Sequence, residues 1–179
     1  MIISRYGNHY DAPTGIVSLI VISQEIFMLP IAIGADDAAT ELKNVIIAFL
    51  QQRDIPVTDY APGHPAAQTS YPDIAFQVAQ AIKDEKHQRG ILLCGTGIGM
   101  SIVANKVPGI RAAQCHDTYS AQRARKSNDA QIITLGARVI GPELAKSIVE
   151  AWLLSEFEGG GSAPKVAKIG YYEQVAGQR

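Results

Sequence analysis

Short apolar runs alternate with longer amphipathic stretches along most of this chain. Five runs have the length and composition of buried strands, over residues 31–35, 57–60, 91–93, 112–115 and 132–135. Strands separated by helical segments are typical of a parallel sheet with helices on both of its faces. The pattern therefore predicts a single α/β domain with a doubly wound, Rossmann-like sheet of five parallel strands.

The stretches between these runs have helical periodicity. In the first of them, the apolar positions fall on one side of a helix predicted over 38–53, and they are Leu42, Val45, Ile46 and Phe49. Further helices are predicted from about 73 to 83, 100 to 105, 118 to 126 and 142 to 157. A turn-rich segment over 61–70 precedes the second helix, and a glycine-rich tail follows the last one.

The residues before the first predicted strand differ from the rest of the chain. Residues 15–22 form an apolar stretch after Arg5, but it is too short to span a bilayer. Residues 23–25 do not resemble a signal-peptidase site. We therefore expect an N-terminal extension over 1–27 outside the core, a folded domain over 28–172 and a C-terminal tail over 173–179.

Composition narrows the class of protein. The chain has 179 residues, of which 47% are hydrophobic, and its formal net charge is −1, which suits one globular domain with a good core. Its Lys and Arg residues are dispersed, which is unlike a nucleic-acid-binding surface. Cys94 and Cys115 are the two cysteines, without the spacing of metal ligands. We predict a cytoplasmic protein that binds no metal, no nucleic acid and no membrane.

The segment Gly90–Gly99 carries the clearest chemical signal. An apolar run delivers the thiol of Cys94 into a glycine-rich turn where a helix should begin, so that several backbone N–H groups could surround an anion or an oxyanion. Gly95, Gly97 and Gly99 complete neither the dinucleotide fingerprint nor a P-loop. The segment predicts chemistry on an anionic small molecule. The alternatives are a turn that only packs a helix on the sheet and a cysteine that is only a buried apolar side chain.

Polar side chains also follow two other predicted strands. Asp36 and Asp37 follow the first strand, and His116 and Asp117 follow the fourth. Ligands in such sheets bind beyond the carboxyl ends of the strands, so we expect these groups to converge with Cys94 on one edge. Two adjacent carboxylates are ordinarily a solvated turn or a helix cap. Here we expect Asp36 to face the site, while Asp37 and Asp117 cap the helices that follow them.

Five motifs in sequence order resemble those of the ribose-5-phosphate isomerase B and galactose-6-phosphate isomerase family. They are Gly34-Ala35-Asp36, Thr69-Ser70-Tyr71-Pro72, Cys94-Gly95-Thr96-Gly97-Ile98-Gly99, Ala104-Asn105-Lys106-Val107-Pro108-Gly109-Ile110-Arg111-Ala112 and Ala137-Arg138-Val139-Ile140-Gly141. The resemblance covers about residues 28–172. It implies an aldose–ketose isomerase that works through an enediolate without metal or organic cofactor. It also implies a homodimer with active sites shared between subunits, either alone or paired into a tetramer.

The resemblance assigns roles to the matching positions. Cys94 stands where the family has its catalytic thiol, which carries a proton between C1 and C2 of the sugar. Thr96 matches the hydroxyl that assists proton transfer to and from the sugar oxygens. The other implied contacts are Gly95, Gly97, Gly99 and Asn128 around the enediolate, and Asp36 and Tyr71 at the substrate hydroxyls.

One departure from the family pattern concerns ring opening. Ser127 stands where ribose-5-phosphate isomerases of this family usually carry the histidine credited with opening the furanose ring, and serine is not an acid–base catalyst near neutral pH without a partner. A tetrose phosphorylated at C4 has no hydroxyl with which to close a furanose. Residues 116–128 and 162–166 also look more like the D-erythrulose-4-phosphate isomerase branch. We therefore predict interconversion of D-erythrulose 4-phosphate and D-erythrose 4-phosphate.

Two alternatives to this substrate assignment are open. One is isomerisation of ribose 5-phosphate to ribulose 5-phosphate, with ring opening left to solution or to a water held by Ser127. The other is a subunit that binds a sugar phosphate without catalysis.

The phosphate-binding end also departs from the family. Asp37 replaces a histidine, and Gly161 and Lys165 stand about where the family has two arginines. An aspartate repels phosphate, and one lysine is a weaker clamp than bidentate guanidinium groups. His116 and Arg123 are our candidates for further phosphate contacts. A solvated helical charge is the alternative for Arg123, and a surface position is the alternative for Lys165.

Overall fold

The computed structural model describes residues 29–61 and 70–177. The N-terminal extension expected over 1–27 and nearly all of the turn-rich segment expected over 61–70 lie outside the described residues. Within those ranges, no helix is both long enough and apolar enough to cross a membrane.

Five parallel strands form one sheet. They are β1 (Ile31–Ala35), β2 (Val57–Asp59), β3 (Gly90–Cys94), β4 (Ala112–Gln114) and β5 (Ile132–Gly136), in the spatial order β2-β1-β3-β5-β4. Strands β1, β3 and β5 are buried along their whole length, because helices cover both faces of the sheet. The predicted doubly wound fold of five parallel strands is confirmed.

Six α-helices lie in the described part of the chain. They are α1 (Thr40–Gln51), α2 (Tyr71–Lys83), α3 (Ile98–Ala104), α4 (Thr118–Asn128), α5 (Pro142–Leu153) and α6 (Ala163–Gly177). Helices α1, α4 and α5 pack on one face, and α2 and α3 pack on the other. Each face has its own apolar core, as successive side chains of a strand point to opposite sides of the sheet.

The two faces determine where the thiol of Cys94 lies. In β3, Ile91 and Leu93 point into the core beneath α1, α4 and α5, whereas Leu92 and Cys94 point into the core beneath α2 and α3. Cys94 is the last residue of the strand, so its thiol lies at the carboxyl edge, on the face covered by α2 and α3.

The strand order opens a crevice at this edge. From β1 the chain passes to β2 on one side, and β3 then pairs with β1 on the other side. The connections after β1 and β3 therefore lead away from each other, which is the arrangement at which doubly wound sheets bind ligands. Asp36 and Cys94 lie on the two sides of this crevice.

Helix α5 ends four residues earlier than the periodicity predicted. The guanidinium of the buried Arg89 donates hydrogen bonds to the carbonyl oxygens of Trp152 at 2.9 Å, Leu153 at 3.0 Å and Ser155 at 2.8 Å. These carbonyls occupy the last turn of the helix and the residues after it, where no intrahelical donor is available. A side chain distant in sequence thus satisfies the helix end at Leu153.

The predicted glycine-rich tail contains a sixth helix. Helix α6 runs from Ala163 to Gly177, so the domain boundary expected after Tyr172 falls inside it. None of its residues is buried, and its Glu173 carboxylate accepts a hydrogen bond from the N–H of Gly109 at 2.9 Å. Without a core to face in this chain, α6 has no buried apolar stripe from which it could be predicted.

A buried ion pair fixes the end of β2 to α1. Lys43 of α1 is only 2% exposed, and its Nζ lies 2.6 Å from Asp59 Oδ2 and 2.6 Å from the carbonyl oxygen of Ala61. The other carboxylate oxygen of Asp59 accepts the N–H of Ala61 at 2.9 Å. One ammonium group therefore satisfies two acceptors that no other described side chain reaches.

We expect Lys43→Met to lower the free energy of unfolding by about 2 to 3 kcal/mol, because the carboxylate of Asp59 and the carbonyl of Ala61 lose their shared donor while the apolar stem is kept. Lys86→Met is the matched control. The Lys86 ammonium is exposed and lies 3.9 Å from Asp84, so its loss should cost less than about 0.5 kcal/mol. Urea denaturation followed by circular dichroism measures both values, and equal losses would contradict this account.

Candidate active site

The thiol of Cys94 lies inside a turn that folds back over it. Cys94 is buried at the end of β3, and its Sγ accepts a hydrogen bond from the N–H of Gly97 at 3.0 Å. Gly97 has a φ of 77°, and a Cβ there would lie 3.0 Å from the carbonyl carbon of Leu135. Glycine is required at this position both by the left-handed backbone and by the close approach of β5.

Four consecutive carbonyl groups of this turn are held by β4, β5 and the residues after β5. The acceptors are Cys94, Gly95, Thr96 and Gly97, and their donors are the N–H groups of Ala137 (2.9 Å) and Arg138 (3.0 Å), the amide of Gln114 (2.6 Å) and the hydroxyl of Thr134 (2.8 Å). In a trans peptide the N–H points away from the C=O of the same unit. The turn therefore directs its N–H groups away from β5.

Two of these N–H groups have no acceptor. Among the described residues, nothing accepts a hydrogen bond from the N–H of Gly95 or of Thr96. Both follow Cys94 directly in the turn, so they are free to donate to a negatively charged oxygen next to the thiol. Preorganised donors of this kind stabilise charge that develops on oxygen during a reaction.

Thr96 and Tyr71 line the open side of the turn. The backbone of Thr96 packs against Gly136, where a Cβ would come within 2.8 Å of it, and its side chain is exposed, with a hydroxyl that accepts the N–H of Ile98 at 3.3 Å. The ring of Tyr71 lies against Gly99, where a Cβ would be 2.5 Å from its Cε2 atom. Both hydroxyl-bearing side chains are therefore placed beside the thiol-containing turn.

Asp36 lies at the carboxyl edge, directly after β1. Its Oδ1 atom is buried and has no hydrogen-bond partner among the described residues. Burial and the neighbouring charge of Asp37 both raise the pKa of Asp36, whereas the backbone N–H groups of Ala38 and Ala39 and the charge of Arg138 act in the opposite direction. A buried carboxylate oxygen without a partner is suited to accept a substrate hydroxyl.

The expectation that Asp37 caps the following helix is wrong. Asp37 is exposed and opens a short 3-10 turn, Asp37–Ala39, and neither its side chain nor that of Asp36 makes a cap hydrogen bond. Helix α1 begins only at Thr40, whose hydroxyl donates to the carbonyl of Asp36 at 3.2 Å. The 3-10 turn uses the backbone of Asp36 instead of a carboxylate to start the helix.

The expectation that Asp117 caps a helix is confirmed. Its Oδ1 atom accepts the N–H of Ser120 at 2.7 Å at the start of α4. Its neighbour His116 lies at the carboxyl edge, where Nε2 accepts the N–H of Gly136 at 3.1 Å. This bond braces the end of β5.

Arg138 is a site residue that the sequence interpretation missed. Its side chain lies over Gly95, where a Cβ would be 3.5 Å from its Cδ and 3.6 Å from its Nε. Its charge also acts to lower the pKa of Asp36. The available signal was its position two residues after β5, because every strand that ends at this edge can contribute to the site.

Asn128 and Ser127 lie at the opposite edge of the sheet. They end α4, which starts at the carboxyl edge and runs back for 11 residues, a rise of about 16 Å. The carbonyl of Asn128 accepts from the Nε of Arg111 at 3.0 Å, and Arg111 immediately precedes β4. Within one chain, the structure therefore does not bring Asn128 and Ser127 together with Cys94.

Arg123 and Lys165 are also placed away from the thiol in this chain. The guanidinium of Arg123 donates to the Ser127 hydroxyl through Nε at 2.9 Å and also through Nη2. Its Nη2 atom lies 3.6 Å from the Glu158 carboxylate. Lys165 is exposed in the first turn of α6. Gly161 belongs to the 3-10 turn Gly160–Ser162 just before that helix. Arg123, Ser127 and Asn128 thus form a second polar group at the end of α4.

The other cysteine is chemically inert by comparison. Burial, with a smaller effect from the charge of Asp117, raises the pKa of the Cys115 thiol to about 12. Its Sγ lies 3.6 Å from the carbonyl oxygen of Ala113. Cys115 therefore stays protonated at neutral pH, and Cys94 is the thiol placed for chemistry.

The carboxyl edge thus combines a thiol, a hydroxyl, a carboxylate, free N–H groups and a guanidinium. These groups can move protons and stabilise an oxyanion on a small polar substrate. The described residues contain no group of three His, Cys, Asp or Glu side chains suited to a metal ion. Fold and site together define an α/β protein with an acid–base centre at the strand ends.

Comparison with known proteins identifies the family. The model of the Ribose/Galactose Isomerase family matches residues 31–169, and the chain belongs to this family. It is 73% identical over 146 residues to D-erythrulose-4-phosphate isomerase of Pectobacterium atrosepticum, which covers 82% of this chain and 96% of that enzyme. It is 54% identical over 138 residues to ribose-5-P isomerase B of Listeria innocua, with coverage of 77% and 93%.

A solved structure agrees with this assignment. Ribose-5-phosphate isomerase B of Clostridium thermocellum superimposes with a TM-score of 0.79 at 47% identity, over 82% of this chain and 99% of that one. The predicted family, the Rossmann-like fold and the class of aldose–ketose isomerase are confirmed.

The raised pKa of Asp36 gives a testable pH dependence of stability. Just above pH 3.8, the ordinary pKa, the unfolded chain has lost the Asp36 proton, whereas the folded protein still keeps it because its pKa is raised. The free energy of unfolding therefore falls as the pH rises through this window. We expect Asp36→Asn to have a higher Tm than the unaltered protein at pH 7, and the difference to vanish below the ordinary value. Scanning calorimetry across pH measures this.

Asp117→Asn is the control of opposite sign. Hydrogen bonds from Ser120 lower the pKa of Asp117, so its carboxylate stabilises the fold above the ordinary value and the stabilisation is lost as the pH falls. This variant should have a lower Tm than the unaltered protein at pH 7. A lower Tm for Asp36→Asn at pH 7 would contradict the interpretation of Asp36.

Proposed function

We propose that this protein interconverts D-erythrulose 4-phosphate and D-erythrose 4-phosphate by proton transfer through an enediolate, without a cofactor. The observation that carries this proposal is the turn around Cys94. Its thiol accepts the Gly97 N–H, and the N–H groups of Gly95 and Thr96 next to it have no acceptor among the described residues. A base beside preorganised donors is what enolisation requires.

The reaction follows from these groups. The Cys94 thiolate removes a proton from C1 of the ketose, and the electron pair of that C–H bond forms the C1–C2 double bond while the C2 carbonyl oxygen becomes negative. The free N–H groups of the turn stabilise this oxygen. The Thr96 hydroxyl passes a proton from O1 to O2, and the thiol returns its proton to C2. The aldose results, and Cys94 is again a thiolate, so no external reactant is needed.

Two observations support the tetrose substrate. The relative with 73% identity carries the name D-erythrulose-4-phosphate isomerase. In addition, among the described residues the only ionisable side chain that bonds to the Ser127 hydroxyl is the guanidinium of Arg123. Ser127 therefore has no acid or base partner that would let it open a sugar ring. A tetrose 4-phosphate needs no such step, because it cannot close a furanose.

Ribose 5-phosphate is the alternative substrate. The relative with 54% identity is named ribose-5-P isomerase B, and the same thiol and N–H groups would serve its enediolate. Only the ring-opening step would then have to occur in solution or through a water held by Ser127. A binding subunit without catalysis does not fit the confirmed enzyme class.

The substrate phosphate needs a cation at the carboxyl edge. Arg138 supplies one, since its side chain lies over Gly95 at the same edge as the thiol. Asp37 is exposed nearby and would repel a phosphate, which favours binding on the Arg138 side of the crevice. Lys165 is a second cation of the proposed phosphate site, and it would have to come from another subunit.

A homodimer with shared active sites brings the two polar groups together. In one chain, Asn128 and Ser127 lie at the amino edge and Cys94 lies at the carboxyl edge. In a twofold symmetric dimer, the amino-edge group of each subunit can face the carboxyl edge of the other, and both contacts form at once. A tetramer of two such dimers keeps the same sites. The two free thiols fit the reducing cytoplasm.

Exposed apolar side chains support such an interface. Ile98 and Ile102 of α3 are 50% and 55% exposed, and both lie next to the glycine turn. Helix α6 exposes Ile169, Tyr171 and Tyr172. Exposed apolar side chains of this size are typical of protein–protein contacts rather than of a solvated surface.

The substrate assignment is tested by comparing kcat/KM for D-erythrulose 4-phosphate and ribose 5-phosphate in the same purified protein. We expect a preference of about a hundredfold or more for the tetrulose phosphate, equal to about 2.7 kcal/mol in the transition state. Ser127→His should raise the rate on ribose 5-phosphate, because it restores an acid–base group for ring opening. A preference of the unaltered protein for the pentose phosphate would refute the tetrose assignment.

Cys94→Ala is the control for the role of the thiol. Loss of the general base should lower kcat by about 100- to 10,000-fold on either substrate. Turnover that survives this substitution would remove the thiol from the mechanism, whichever sugar is preferred.

Mixed dimers test whether the active sites are shared. Cys94→Ala and Asn128→Ala are each expected to be strongly impaired, and the two variants are then co-expressed with different affinity tags or refolded together. If each site takes Cys94 from one subunit and Asn128 from the other, every mixed dimer has one intact site, and random mixing restores about one quarter of full activity. Refolding each variant alone is the control, and an unchanged low activity after mixing would contradict shared sites.

A further inference from the structure

One exposed side chain, that of Gln114, donates a hydrogen bond to the turn that follows Cys94. Gln114 is the last residue of β4, which is the edge strand of the sheet, and its side chain reaches past β5 to the turn. Its Nε2 donates to the carbonyl oxygen of Thr96 at 2.6 Å. The substrate assignment above does not involve this contact.

The peptide unit that Gln114 holds is the one that contacts the thiol. The carbonyl of Thr96 and the N–H of Gly97 belong to the same peptide unit, and that N–H donates to Cys94 Sγ at 3.0 Å. The two ends of a trans peptide point in opposite directions, so an anchored carbonyl fixes the direction of the N–H. Hydrogen bonds in such a chain also polarise and strengthen one another.

The neighbouring peptide units depend on other donors. The carbonyls of Cys94 and Gly95 are held by the main chain after β5, and the carbonyl of Gly97 by the fully buried hydroxyl of Thr134. Those contacts are part of the fold. The Thr96 carbonyl instead depends on a side chain from the edge strand, although Gly136 packs closely beneath the same backbone.

We propose that Gln114 is a positioning residue that stabilises the Cys94 thiolate through the peptide unit between Thr96 and Gly97. This inference rests on the proposed function for the role of the thiol. Gln114 acts through the backbone and need not touch the substrate. Without its amide, the Thr96 carbonyl turns to solvent, and the Gly97 N–H is no longer held on the sulfur.

The effect of losing this contact falls on chemistry more than on substrate binding. One neutral hydrogen bond is removed, so we expect kcat to fall about 10-fold. KM should change less than about twofold, because no substrate contact is lost. The thiolate becomes less favourable, so the acid limb of the kcat profile should move to higher pH by about half a unit.

The decisive experiment measures the thiol directly. The rate at which iodoacetamide alkylates Cys94 is followed against pH in the full-length unaltered protein, in Gln114→Met and in Gln114→Glu, with peptide mass spectrometry to separate Cys94 from Cys115. Met keeps the size of the side chain without the donor, and Glu replaces the donor with a carboxylate that repels the Thr96 carbonyl. Gln51→Met, an exposed residue at the end of α1, is the matched control.

We expect the midpoint of the alkylation profile to move to higher pH in Gln114→Met, further in Gln114→Glu, and not at all in Gln51→Met. Unchanged midpoints in both Gln114 variants would overturn the proposal. A purely structural role would lower the Tm or the folded fraction and leave the midpoint of the folded protein in place. If Gln114→Met does not fold, Gln114→Ala takes its place, since it also removes the donor without adding a charge.

This measurement is independent of the substrate assignment. Alkylation needs no sugar phosphate, so a shifted midpoint in the Gln114 variants would stand even if the unaltered protein turned over neither substrate. In that case the proposed function would fail and the role of Gln114 would remain. The reverse result, turnover of D-erythrulose 4-phosphate with unshifted midpoints, would retain the proposed function and reject the role of Gln114.

Discussion

The hydrogen bonding of one turn organises the active site. Each carbonyl from Cys94 to Gly97 is bound by β4, by β5 or by the residues that follow β5. The N–H groups of these peptide units consequently face away from the sheet, where one reaches the thiol and two have no acceptor among the described residues. Because the sheet binds the carbonyls of the turn, the N–H groups of the turn are available as donors to an oxyanion. Close packing against β5 at Gly97 and Gly136 holds the backbone of the turn in place.

The same edge contains groups that do not favour folding. Asp36 has a buried oxygen without a partner, and desolvation raises its pKa. Such a group costs stability in the absence of substrate, because water has been removed and no donor replaces it. Lys43 with Asp59 under α1 and Arg89 at the end of α5 are buried polar groups that are paired. Asp36 differs from them, although the Nε of Arg125 and the Nε1 of Trp152 are also buried without a partner among the described residues.

Most of the fold, and the position of Cys94 in the glycine-rich turn, could be predicted from the sequence. Apolar runs and glycine positions are local signals, so the five strands and the turn after Cys94 were correctly predicted. The end of α5 was not, because it depends on Arg89, which lies more than 60 residues away in sequence. Helix α6 was missed because it buries nothing in this chain. Arg138 stands in one of the five motifs, but a motif does not state what its arginine contacts. A solvated aspartate cannot be told from a helix cap by sequence alone, so the expectation for Asp37 is wrong.

The separation of Asn128 from Cys94 explains why sequence motifs and a single chain give different pictures of this site. Motifs indicate which residues a family retains, without regard to the subunit that supplies them. The geometry of α4 places Asn128 at the amino edge whatever its role, since a helix that begins at the carboxyl edge must end at the opposite one. A residue needed beside the thiol but located there can act only on a second subunit. In the proposed shared site, assembly of two chains would complete the site, and the exposed apolar surfaces of α3 and α6 are surfaces that such assembly would cover.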